Sequence, residues 1–220
     1  MKKIAIIYPT LTPGEPGPNK VIRDHVGDCK IITLIDSTVI GDVVANGGLN
    51  TEIRARMLAQ FQAADKSHPD LIICGCSSIG ETVYHAQKVI DTPIIRIDEA
   101  MAREAVSKYK RIGVMATLST TLDPTCNLIL NIAREAGKEV VLNKMVAAGA
   151  FEETMAGHYE KAEEIMKDTF IKLADTNDCV LFAQASMADL KENMLKYRNV
   201  PILSSPEFCA KQVKRMLEGV

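Results

Sequence analysis

The chain repeats itself at a separation of 108 residues: Lys2, Ile4, Pro16, Asn19, Lys30, Gly41, Asp70, Ser78, Pro93 and Glu99 recur as Lys110, Ile112, Pro124, Asn127, Lys138, Gly149, Asp178, Ser186, Pro201 and Glu207. Halves that match in this way call for two similar units, and 220 residues divide into two of ordinary domain size. The repeat also contains one difference of chemical weight. Asp70-Leu-Ile-Ile-Cys-Gly-Cys76-Ser-Ser78 lies over Asp178-Cys-Val-Leu-Phe-Ala-Gln184-Ala-Ser186, so a thiol in the first half is matched by an amide in the second.

Each half alternates short, β-branched apolar runs with longer helical patterns. The runs are Lys3–Tyr8, Lys30–Ile35, Leu71–Gly75 and Pro93–Ile97, then Arg111–Ala116, Glu139–Asn143, Cys179–Ala183 and Pro201–Leu203. Helical patterns lie near 19–27, 50–67, 79–90, 98–109, 124–136, 158–175, 187–197 and 206–218. Continuously apolar strands separated by helices indicate a parallel sheet covered on both faces. The fold class is therefore α/β, built as two pseudo-symmetric, doubly wound, four-stranded lobes. The expected boundaries are 1–98 plus 205–220 for the first lobe and 99–204 for the second. Folds of this type bind ligands beyond the carboxyl ends of their strands. The residues there are Pro9–Thr12, Gly75–Ser78, Asp98–Glu99, Thr117–Thr121, Gln184–Ser186 and Ser204–Glu207. The Gly/Pro-rich connections Thr10–Pro18 and Gly41–Leu49 read as surface loops or as lids.

Composition narrows the partners. A net charge of −2, a pI near 6.1, 5% aromatics and no Trp leave no basic face suited to a phosphate backbone, so no nucleic acid is expected. The apolar run after Lys2-Lys3 stops at Pro9, too short for a signal peptide, and no stretch is long enough to span a membrane. Six cysteines without disulfide-scaffold spacing fit a reducing cytoplasm. No Gly-rich phosphate loop and no zinc-spaced Cys/His cluster accompanies Cys74-Gly-Cys76, so neither nucleotide cofactor nor metal is expected.

Chemistry then concentrates on Cys76. It follows a buried strand, and Ser78-Ile-Gly-Glu81 fits a capping box with Ser78 as N-cap. A sulfur just before a helix start meets free N–H groups and the positive dipole end, which favour a thiolate usable as base or nucleophile. The alternative is a small buried hydrophobe, the role expected of Cys74. In the second half, Thr117-Leu-Ser-Thr-Thr121 offers hydroxyls ahead of Asp123-Pro124, read as N-cap and first helical residue. Hydroxyls with free N–H groups suit a carboxylate, although hydroxyl-rich turns also occur without ligands. Ser77, Ser78 and Ser186 add donors of the kind an oxyanion hole needs, or serve as helix caps. His158, Glu99, Glu207 and Cys209 are weaker candidates explained by surface position, helix polarity and packing.

Four segments in order, Ile6-Ile-Tyr-Pro-Thr10, Asp70 to Ser78, Arg111-Ile-Gly-Val-Met-Ala-Thr117 and Leu181-Phe-Ala-Gln184-Ala-Ser-Met187, resemble the aspartate/glutamate/hydantoin racemase superfamily along the whole chain. The resemblance implies a cofactor-independent enzyme, possessing one cysteine in each lobe, that moves a proton at the carbon beside a carboxylate in a cleft between the lobes. Cys76 and Gln184 fall on the two catalytic positions; Pro9, Thr10, Ser77, Ser78, Thr117, Ser119, Thr120, Ala185 and Ser186 fall on substrate-binding ones. A small carboxylate substrate and a homodimer are also implied. Gln184 departs from the pattern, because an amide neither gives nor takes a proton at neutral pH. That keeps three readings open: a racemase or epimerase with a second acid other than cysteine, a one-thiol decarboxylase or lyase of the arylmalonate type, and a non-catalytic protein that binds small carboxylates.

Overall fold

The computed structural model describes residues 1–10 and 17–219, which form two compact units: Met1–Ala100 with Pro206–Val220, and Met101–Ser205. The first contains β1 (Lys2–Tyr8), α1 (Gly17–Val26), β2 (Cys29–Ile35), α2 (Val39–Asn46), α3 (Thr51–Asp65), β3 (Leu71–Cys74), α4 (Val83–Ala86) and β4 (Ile94–Arg96). The chain then passes through α5 (Glu99–Lys108) into β5 (Arg111–Ala116), α6 (Ser119–Glu135), β6 (Val141–Val146), α7 (Ala150–Met155), α8 (Tyr159–Ala174), β7 (Cys179–Phe182), α9 (Lys191–Leu195) and β8 (Ile202–Ser204), and returns in α10 (Ser205–Glu218). Each unit holds a four-stranded parallel sheet, ordered β2-β1-β3-β4 in one and β6-β5-β7-β8 in the other. This is the α/β, twice-repeated architecture that the alternating runs predict.

The central strands are apolar along their whole length because both of their faces are covered. Ile4 to Ile7, Leu71 to Cys74 and Cys179 to Phe182 are all buried. On one face of the first sheet Met57 and Phe61 of α3 pack with Ile7 and Ile72; on one face of the second, Phe170 of α8 meets Phe182 edge to face with ring centroids 6.5 Å apart. Complete burial of such side chains contributes about 1.5–3 kcal/mol each.

One repeated residue has a visible repeated task. The Asp70 carboxylate accepts the Lys3 N–H at 2.7 Å, and the Asp178 carboxylate accepts the Arg111 N–H at 2.8 Å, each tying the loop before the third strand to the start of the first. β1 pairs β3 with Ile4 opposite Leu71, and β5 pairs β7 with Ile112 opposite Cys179, the same register. The second strand breaks the constant spacing. Lys3 pairs with Lys30 but Arg111 pairs with Val141, because the connection from α6 to β6, residues 136–140, is longer than that from α1 to β2, residues 27–28. Lys138 and Gly149 therefore do not occupy the places of Lys30 and Gly41, and β6 begins at Val141 rather than at Glu139.

Three local expectations are corrected. Gly41–Leu49 is not a loop or a lid: Val39–Asn46 is α2, with Val39 and Val43 buried and Gly47 closing it in the left-handed conformation at φ 70°. The β-branched run hides a helix that tertiary burial stabilises. Asp123-Pro124 does not open α6, which starts at Ser119 and carries Pro124 inside. As the sixth helical residue, Pro124 removes the hydrogen bond an N–H there would give the Thr120 carbonyl and sets its ring against that carbonyl. Residues 77–82 form a 3-10 helix rather than the start of an α-helix, so Cys76, not Ser78, holds the N-cap position, and Glu81 pairs with Arg54 at 3.5 Å. Of the Thr10–Pro18 connection, residues 11–16 lie outside the described residues.

Candidate active site

In the first unit, β1, β3 and β4 end side by side, and their carboxyl ends supply the residues of interest. Gly75 continues β3, donating its N–H to the Ile7 carbonyl at 2.9 Å. A Cβ on Gly75 would lie 2.5 Å from Cε1 of Tyr8, so only glycine lets the tyrosine ring cross the strand end. The Tyr8 hydroxyl donates to Oδ1 of Asn19 at 2.9 Å, and Asn19 donates to the Thr33 hydroxyl at 3.1 Å, which ties β1 to α1 and β2. Cys76 follows in an extended conformation, φ −147° and ψ 133°, directly before the 3-10 helix. Its side chain is partly exposed, whereas Cys74, Cys126, Cys179 and Cys209 are buried.

Electrostatics at this sulfur are mixed. Burial among protein atoms pushes the Cys76 thiol up from its ordinary value; the N–H and hydroxyl of Ser78 pull it down, the Asp98 carboxylate pushes it up, and the Ile79 N–H pulls it down. None of these donors closes a full side-chain cap on the sulfur. They act as partial positive charges aimed at it, as expected at a helix start. The net direction is upward, which corrects the expectation of a low-pKa thiol: desolvation outweighs the dipole. Cys76 therefore rests as a thiol, and its thiolate is a strong base. Cys74 is a core residue, pushed up to about 12 by burial, and its thiol donates to the Cys76 carbonyl across 3.7 Å.

Ser77 and Ser78 are buried, as is Pro9, and Thr10 is half-buried. Asp98 is among the strand-end residues that the sequence singles out, but Arg96, its partner, is not. Arg96 donates from Nε and from a terminal nitrogen to the two Asp98 oxygens at 2.9 and 2.8 Å, and both side chains are almost wholly buried, 2% and 1% exposed. Their signal was present: a charged residue within an apolar strand run, with a carboxylate two positions on, where extended residues share a face.

In the second unit Gln184 occupies the N-cap position of the matching 3-10 helix, residues 185–190. Its Oε1 accepts the Thr117 N–H at 2.6 Å and the Thr117 hydroxyl at 3.0 Å. An N–H can only donate, so the oxygen faces Thr117 and the amide NH2 is turned the other way. The counterpart of Thr117 in the first unit is Pro9, which has no N–H to offer. Thr117 is buried, Ser119 exposed at the first helical residue of α6, Ala185 half-buried and Ser186 exposed. The Thr120 hydroxyl oxygen is buried and finds no partner among the described residues.

The weaker candidates are accounted for locally. Nδ1 of His158 lies 2.9 Å from Glu153 on an exposed surface, Glu207 pairs with Lys211 at 2.6 Å, and Cys209 is buried and pushed up to about 12. Among the described residues no group of three His, Cys, Asp or Glu side chains could hold a metal ion, and no helix is long and apolar enough to cross a membrane.

The family model for Asp/Glu/Hydantoin racemases matches residues 19–213. The chain belongs to that family. Solved racemases share its fold. A glutamate racemase isoform from Bacillus anthracis superposes with a TM-score of 0.78 at 16% identity, covering 99% of this chain and 82% of that one. An allantoin racemase from Klebsiella pneumoniae gives 0.65 at 16% identity, over 99% and 88%. The aspartate racemase of Picrophilus torridus gives 0.66 at 12% identity, over 100% and 94%. No curated protein matches the chain. Membership of this racemase family sets the class of activity as an isomerase of racemase type.

Proposed function

We propose that this racemase-family chain moves a proton at the carbon beside a carboxylate of a small amino acid or related acid, with Cys76 as the one thiol acid/base and no cofactor. The observation that carries the reading is the setting of Cys76: partly exposed at a strand end, at the N-cap of a turn, with the Ser78 and Ile79 N–H groups aimed at its sulfur. As thiolate, Sγ takes the proton and becomes a thiol, and the electron pair passes into an enediolate, whose oxygen the Ser77 and Ser78 groups are suited to stabilise. A proton returning to the other face completes inversion. Gln184 has none to give at neutral pH, so that proton is drawn ultimately from solvent. The second-unit loop has a neutral, substrate-holding role, which the family likeness implies for its hydroxyl residues, whereas that likeness puts Gln184 on a catalytic position. Ser119 and Thr120 receive a substrate carboxylate, with the NH2 of Gln184, whose oxygen Thr117 holds, as a further donor.

The test is chiral chromatography after incubation with single enantiomers of aspartate, glutamate and other small α-amino acids. Inversion of at least one, abolished in Cys76→Ala, is the expected result. Inversion that survives this substitution would overturn the assignment of Cys76, and binding without inversion of any would leave a carboxylate-binding protein instead.

A further inference from the structure

The buried Arg96–Asp98 pair lies inside the first unit directly against the turn that presents Cys76. A Cβ built on Gly80, in the middle of that turn, would sit 2.6 Å from Cζ and Nε of Arg96 and 2.8 Å from its terminal nitrogen. The guanidinium is thus in van der Waals contact with the turn backbone, and it is no freely moving side chain, because two hydrogen bonds pin it to Asp98. The backbone repeats this linkage: the Ile97 N–H, between the two charged residues, donates to the Cys74 carbonyl at 3.0 Å. The second unit keeps the turn but not its support. By the repeat, Gly80, Arg96 and Asp98 correspond to Ala188, Ser204 and Pro206, and the thiol corresponds to Gln184. A buried ion pair is costly to desolvate and weak evidence for stability, so its presence only under the thiol calls for a local reason.

We propose that Arg96 and Asp98 are positioning residues for Cys76: the pinned guanidinium is a fixed floor for the turn over residues 77–82, and the pair keeps the Asp98 carboxylate close to the thiol. The inference deepens the reading of Cys76 as acid/base, but the state of the thiol can be followed without any substrate. Other ionisable groups around the pair are Cys74 from β3, Tyr84 from α4 and Cys209 from α10. Asp98 opposes ionisation of Cys76, so removing its charge must favour the thiolate, and doubly so where Arg96, which cannot lose its proton, is left behind.

The experiment is the pH profile of Cys76 alkylation by iodoacetamide, mapped peptide by peptide by mass spectrometry in the full chain. Asp98→Asn is expected to move the Cys76 midpoint down by about one unit or more, which at pH 7 is about a tenfold faster labelling, since the thiolate fraction scales with that shift. Where this variant fails to fold, as a buried unpaired guanidinium can cause, Arg96→Met with Asp98→Asn serves instead; it removes both charges, and its midpoint is expected below that of the parent chain. Gly80→Ala probes the floor without touching a charge. It is expected to change the Cys76 profile in the parent chain and to be nearly silent in the charge-free double variant, where a flexible thioether can yield. Folded variants whose Cys76 profile stays within about 0.3 unit of the parent, with Gly80→Ala equally silent in both backgrounds, would overturn the proposal and leave the pair a packing feature. If Cys76→Ala leaves racemisation intact while the alkylation profiles shift as stated, the catalytic reading falls and this one stands.

Discussion

At equivalent positions, the first unit offers a thiol, a tyrosine over a glycine, and a buried ion pair, while the second offers an amide bound to a threonine, two alanines and no charge. Tyr8 and Gly75 correspond to Ala116 and Ala183, and Cys76 to Gln184. One backbone atom bears on the difference between Gln184 and Cys76. Thr117 has an N–H that holds the Gln184 side chain by its oxygen at 2.6 Å, and Pro9 in the first unit cannot hold the residue at position 76 in that way. A repeated scaffold has been divided into a titrating end and a neutral, hydrogen-bonding end. The same fold thus supports unlike chemistry through the residues at its strand ends.

The contrast can be broken or sharpened by experiment. The largest graded effect is expected from pH. The Cys76 thiol is held above its ordinary value of 9.0 by burial, so the thiolate fraction, and with it kcat/KM for the direction that needs the base, climbs by about tenfold per pH unit from pH 7 to 9. A profile already flat at pH 7 would place the working group elsewhere. Next comes the glycine–alanine exchange between the units. Gly75→Ala forces a Cβ to 2.5 Å from the Tyr8 ring and is expected to lower stability by about 1–3 kcal/mol in urea unfolding. Tyr8→Ala in the same chain should relieve the clash, and Ala183→Gly, where Ala116 takes the place of Tyr8, should cost about 1 kcal/mol or less. The smallest effect is that of Gln184→Ala. It removes two hydrogen bonds to Thr117 and is expected to raise KM by roughly threefold to tenfold, with kcat little changed, by steady-state kinetics. A fall in kcat of a hundredfold would make the second unit an equal chemical partner.

Periodicity and repeats were enough to read the two sheets, because buried parallel strands such as Ile4 to Ile7 and Cys179 to Phe182 are apolar without interruption. Two things were hidden. The short helix Val39–Asn46 is itself valine- and glycine-rich, so its helical state is set by burial of Val39 and Val43 rather than by propensity, and Ala150–Met155 is only six residues long, too short for a periodic pattern to show. The three extra residues before β6 are invisible to an ungapped comparison, because they shift only one strand. At the site, the placement of Cys76 at a helix start was legible from Cys76-Ser-Ser-Ile-Gly. The direction of its pKa shift was not, because it depends on how many atoms surround the sulfur and on Asp98, which is remote in sequence. The Gln184–Thr117 bond spans 67 residues and leaves no local signal.

The central claim is that proton transfer belongs to the Cys76 loop and not to the Gln184 loop. It is tested most directly by following, in D2O, the loss of the proton beside the carboxylate of whichever enantiomer the protein inverts, by proton NMR, in Cys76→Ala and Gln184→Ala side by side. The account predicts that exchange falls by about a hundredfold or more in Cys76→Ala, the usual contribution of a positioned acid/base, and that Gln184→Ala still exchanges at saturating substrate within about threefold of the parent. Exchange that persists in Cys76→Ala and collapses in Gln184→Ala would contradict it.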